Sequence, residues 1–202
     1  MQVIRIVLLL FIGMQVISCS NKELLPSEYV TWVNDEANHL LKRKTVHPLI
    51  VEVLYKPIPY IIANEKRTNA ISKVAYETRK KELEGMQYFT LKLSTVEGDI
   101  TNYGVTNKAE QDERFNYLSF AMKRDIKLID GKDTLPCQLF HFERAYDLVS
   151  YRSFVLAFEQ SNPNIECEKT IIIDLPYFRT GPIKINYKNS DLESIPSLKI
   201  QA

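Results

Sequence analysis

His141 and Glu143, in the run "HFE", lie two residues apart, so on a β-strand they would share a face and could ligate Zn²⁺ if a third donor arrived from a neighbour. The same spacing serves a plainer arrangement, with His141 and Glu143 turned to solvent and Phe140 and Phe142 turned into a core. Glu166 and Glu168 form another same-face carboxylate pair at a strand start, where solvated charge is common. The remaining histidines, His39 and His47, complete no ligand spacing such as HExxH, so no metal or cofactor is assigned. There is no nucleophile elbow, SxxK pair, P-loop or dinucleotide fingerprint, and six glycines offer little material for a phosphate cradle. Catalysis would have to gather dispersed residues from distant strands.

Recognition has better candidates. Tyr55 and Tyr60 bracket "YKPIPY", and Tyr177, Phe178 and Arg179 lie between a proline and a glycine in "PYFRTG". Tyr and Arg are enriched at binding hot spots, and a loop held by Pro and Gly could project them. The competing reading makes these rings half-buried sheet residues. Cys137 and Cys167 form an even pair, which in an oxidising compartment invites a bridge. Each opens a strand-like run, with a third run near 149–159 between them. If the three are neighbours in a meander, the cysteines stand about two strand spacings, roughly 9.5 Å, apart. That exceeds the roughly 7 Å spanned by disulfide-linked Cα atoms, so separate thiols are expected.

The elements that would position these residues are mostly strands. "YVTWVN" reads as a strand from its β-branched and aromatic content, and "VHPLIVEVLYKP" as a longer one from about 46 to 55, ended by Pro57 and Pro59. Residues 64–85 carry apolar positions at helical spacing closed by Gly85, which predicts one long surface helix over about 65–84. "MQYFTLKLSTV" alternates as a strand. Asn107 and Glu110 stand at capping-box spacing for a helix to about Tyr117, and Asp130-Gly131 marks a hairpin. "CQLFHFE", "SYRSFVLAFE", "KTIIIDL" and "PIKINY" follow as short strands, and "NSDLESIPSLK" as a helical turn on a sheet edge. The expected class is α+β, mostly antiparallel β, as a sandwich or partly closed barrel.

The start of the chain is different in kind. One charge, Arg5, precedes an apolar run from Ile6 to Ile17, too short for a spanning helix of about 20 residues and suited to a secretory signal peptide. Val16-Ile17-Ser18-Cys19 resembles the lipobox of bacterial lipoproteins, with Ile17 departing from the usual alanine or serine. The resemblance covers the leader alone. It implies a diacylglycerol and further acyl chains (a palmitate-type modification) at Cys19, cleavage before it, and anchoring in the cell envelope; Ser20 would direct sorting to the outer membrane in a Gram-negative cell. An ordinary cleaved signal peptide or an uncleaved anchor remain alternatives.

This divides the chain into a signal peptide at 1–18, a tether at 19–27 and one β-rich domain at 28–202. Losing the leader removes Arg5, leaving 25 basic against 25 acidic residues, a balance that offers nucleic acid no general attraction. The basic clusters Lys42-Arg43-Lys44, Lys66-Arg67 and Arg79-Lys80-Lys81 read as solvated turns or helix faces. Three functional classes follow: an interaction or scaffold module with a protein partner in the envelope, a carrier with a ligand pocket between sheet and helix, or an enzyme with dispersed residues.

Overall fold

The computed structural model describes residues 22–143, 149–160 and 167–201. Eight strands carry the fold: β2 (Leu41–Val46), β3 (Leu49–Lys56), β4 (Met86–Thr95), β5 (Ile126–Asp130), β6 (Asp133–Glu143), β7 (Arg152–Glu159), β8 (Lys169–Ile173) and β9 (Ile183–Tyr187). They run in the order β2-β3-β4-β7-β6-β5-β8-β9, every neighbouring pair antiparallel, and the sheet is nearly closed into a barrel. A minor parallel sheet pairs β1 (Glu23–Leu24) with β10 (Ser197–Leu198). Leu24 is buried, so the stretch read as tether is part of the fold from Glu23 onward.

Alternation decides which side chains fill the barrel. In β4, Gln87, Phe89, Leu91, Leu93 and Thr95 are buried and their neighbours half-buried. The Phe89 ring packs on Tyr55 at 5.1 Å, Phe158 at 5.7 Å and Tyr187 at 5.9 Å. Tyr187 reaches in from β9 and donates its hydroxyl to the Val53 carbonyl at 2.9 Å. Each ring so buried contributes about 1.5–3 kcal/mol.

Polar clusters hold the two ends. Asp130, last in β5, accepts from Lys169 Nζ at 2.8 Å and from Gln87 Nε2 at 2.7 Å, while Arg152, first in β7, donates Nε to Asp99 at 3.0 Å. A register shift between Cys137 and Leu139 changes the parity of β6. Cys137 is buried before it and Phe142 after it, leaving Leu139 44 % exposed.

The helices differ most from the sequence expectation. "YVTWVN" belongs to α1 (Pro26–Asn34), not to a strand. Pro26 suits a first helical position, the Glu28 carboxylate accepts the Leu25 N–H at 3.0 Å, and Tyr29 and Val33, four apart, both point into the core. Strand-like composition is overridden by tertiary burial.

The single helix expected over about 65–84 is two, α2 (Ile58–Lys66) and α3 (Lys73–Leu83). Arg67 at φ 50° ends α2, and Ser72 caps α3 by accepting from the Ala75 N–H at 3.3 Å. The buried positions of α3 are Tyr76 and Leu83, whereas Val74 is exposed. Pro57 and Pro59 do end β3, and they also start α2, where a missing N–H costs little. α4 (Lys108–Asn116) has the expected cap, Asn107 Oδ1 accepting from the Glu110 N–H at 3.0 Å, and runs into a π-helical turn over Tyr117–Ala121. α5 (Asn189–Glu193) is the expected terminal helical turn. Among the described residues no helix is long and apolar enough to cross a membrane.

Candidate interaction surface

Between β2 and β9 the ladder of backbone hydrogen bonds stops, and the two edge strands face one another across a seam. Side chains bridge it. Direct pairing places Lys42 and Lys44 on the same face as Val53 and Val51, that is, toward the barrel interior. Lys42 Nζ lies 2.6 Å from Asp191, in α5 just beyond β9, and 5.3 Å from the centre of the Tyr187 ring. Lys44 Nζ donates to the Lys184 carbonyl of β9 at 3.3 Å. Burial pushes the Asp191 carboxyl up. The Lys42 ammonium and the Lys188 N–H outweigh that and hold it below the ordinary aspartate value. Charges pointing inward on an edge strand also discourage pairing with a second copy.

The outer face of β2 continues the surface. Glu52 is held between Arg43 at 2.8 Å and Lys92 at 2.9 Å, and Lys92 lies 5.2 Å above the Tyr151 ring. Burial raises the Glu52 carboxyl, and the two hydrogen-bonded cations bring it below its ordinary value. With Ile50, Ser94 and Ser150 these groups line a shallow cavity of about 300 Å³. The cluster Lys42-Arg43-Lys44, read from sequence as a solvated turn or helix face, is thus an edge strand with two cations turned inward and one outward.

The residues singled out for recognition divide. Phe178 is 8 % exposed, with its ring 5.2 Å from the buried Arg114 guanidinium and 6.3 Å from Tyr103, so it belongs to the core and does not present itself to a partner. Tyr177 is 38 % exposed, packs on Tyr117 and donates its hydroxyl to Glu113 at 2.8 Å. Arg179 is exposed at φ 50°. Tyr60 is buried, its hydroxyl accepting from Asn34 Nδ2 at 3.2 Å, and Tyr55 lines the barrel. "YKPIPY" is therefore a structural corner rather than a projecting loop. Strand and helix here both follow from burying those rings.

The chemical candidates stay apart. His141 and Glu143 share the outer face of β6 and are exposed, with Val155 and Ser153 opposite them on β7. No group of three His, Cys, Asp or Glu among the described residues could hold a metal ion. Cys137 and Cys167 are free thiols. The meander assumed between them is not the one formed: β5, not β7, separates β6 from β8. Burial pushes the Cys137 thiol up to about 11. Cys167 Sγ would stand 3.1 Å from a Cβ at Gly131, which sits at φ +61° in the β5–β6 turn, so both space and backbone require glycine there. Glu168 is exposed; Glu166 and Cys19 lie outside the described residues.

Comparison with known protein families, with curated proteins and with solved structures found no match.

Proposed function

We propose that this protein is a lipid-anchored component of the cell envelope whose barrel serves as an interaction or scaffold module, in the outer membrane where the cell is Gram-negative. The lipobox-like Val16-Ile17-Ser18-Cys19 supports the anchor, and three acyl chains would hold the protein durably where one holds only marginally. The observation that carries the modular reading is the filled barrel. Tyr55, Phe89, Phe158 and Tyr187 occupy its interior, so recognition falls to the outer surface and to the β2–β9 seam. A carrier would need a ligand pocket outside that interior, between sheet and helix, and an enzyme would need the dispersed His141, Glu143 and thiols to converge.

The anchor is tested by Cys19→Ser. Labelling by a fatty-acid analogue should be lost and the protein released from washed membranes. A Cys19→Ser protein that stays bound without label would refute the anchor.

A further inference from the structure

We infer that this protein stands on the lipid bilayer on the face formed by β1 and α1, with Trp32 at the level of the headgroups and the β8–β9 connection turned away from the membrane. The inference rests on the lipid anchor at Cys19. The chain is held in the fold from the Lys22 carbonyl onward: that carbonyl accepts from the Ser197 N–H at 3.1 Å, and the Leu24 carbonyl accepts from the Lys199 N–H at 2.8 Å. Only Ser20 and Asn21 stand between Lys22 and Cys19. The three peptide units from Cys19 to Lys22 reach at most about 11 Å even when fully extended, so acyl chains buried in the bilayer keep Lys22 within about that distance of its surface. That is about one helix diameter, and the protein surface around Lys22 stays beside the headgroups whichever way the barrel leans.

The surroundings of Lys22 suit that place. Lys22 and Glu23 line an open groove of about 500 Å³ together with Glu28 and Trp32 of α1 and with Asp35 just beyond it. Trp32 is half-buried, and among the described residues nothing accepts a hydrogen bond from its indole N–H. An indole with its body packed on protein and its N–H free to donate is the side chain that membrane interfaces favour. The groove carries three carboxylates against one ammonium, and Glu28 and Asp35 are engaged by the Leu25 and Ala37 N–H groups, each at 3.0 Å. It offers anionic lipid no attraction, so the anchor rather than charge brings this face to the surface. Topology turns the other end outward. α1 leads into β2 at the end of the barrel where β3 and β9 finish, whereas the exposed Tyr177 and Arg179 lie in the β8–β9 connection at the opposite end.

Trp32 is the only tryptophan in the chain, so its emission reports this face without any substitution. The acylated full chain is purified from membranes in detergent, reconstituted into phosphatidylcholine vesicles and floated to establish that it is anchored. In vesicles whose headgroups carry a nitroxide, Trp32 should lose most of the intensity it has in unlabelled ones. A Trp32→Phe, Tyr177→Trp protein should keep its intensity, and thermal melts establish that it folds. A Gly/Ser insert of about 30 residues between Asn21 and Lys22, with an r.m.s. span of about 30 Å, should restore most of the Trp32 emission. Replacing part of the phosphatidylcholine by phosphatidylglycerol should not deepen the quenching.

Unquenched Trp32 in protein that floats would overturn this orientation and leave the anchor standing, whereas protein that fails to float would remove the anchor and the orientation together. Equal quenching of the wild type and the Trp32→Phe, Tyr177→Trp protein would show that no face is preferred. Quenching that survives the insert undiminished, or that grows with phosphatidylglycerol, would overturn the short tether as what seats the face.

Discussion

Replacing Lys169 by methionine removes the ammonium 2.8 Å from Asp130 while leaving the carboxylate in a site only 5 % exposed. Truncating one partner of a buried pair costs about 3–5 kcal/mol, because the remaining charge keeps its desolvation penalty. For a domain of this size each kcal/mol lowers Tm by about 2–4 °C, so Lys169→Met should melt about 6–20 °C below wild type. Removing both charges together is a different perturbation. Gln87 Nε2 also donates to Asp130, so the matched variant is Lys169→Met with Asp130→Leu and Gln87→Leu. With both charges of the Lys169–Asp130 pair removed, apolar packing of similar volume is often neutral, and most of the loss should be recovered. Circular dichroism melts of the three proteins decide it. A single Lys169→Met variant within about 2 °C of wild type, or a triple variant as unstable as the single one, would refute the claim that this buried pair holds the barrel end.

Two further outcomes follow from the same geometry. Phe178→Ala should cost about 3–5 kcal/mol, as for other buried rings, and Tyr177→Ser about 1 kcal/mol or less; equal losses in urea unfolding would contradict the division of that loop into core and surface. The Asp191 carboxyl, facing His39, Lys42 and the Lys188 N–H, lies below its ordinary value of 3.8, so its contribution is complete above that value and fades as pH falls through the lower folded one. Asp191→Asn should therefore flatten the stability curve only below about pH 4, and a loss of stability that grows from pH 6 to 8 would contradict the clasp.

Local patterns carried much of the fold. The strict alternation of Met86–Thr95, the Asp130-Gly131 turn and the Asn107 cap each specify their element from neighbouring residues alone. α1 was hidden because Tyr29, Val30, Thr31 and Val33 favour strands, and only the burial of Tyr29 and Val33 makes their four-residue spacing decisive. The break at Arg67 needed a left-handed residue that no glycine or asparagine announced. The bulge that exposes Leu139 likewise leaves no mark in composition. The seam was the least visible feature. Lys42 and Asp191 are 149 residues apart, and whether a lysine on an edge strand points inward depends on register rather than on its neighbours.

The central claim, that the outer surface of a membrane-held barrel binds a protein partner, is met most directly by site-resolved photo-cross-linking of the full chain in its native membranes. With the cross-linker placed in turn at Thr45, Asn186, Lys127 and His141, all exposed, the account predicts a discrete adduct with one partner protein in the membrane fraction from at least one of these positions. Full incorporation at all four without any adduct would contradict it.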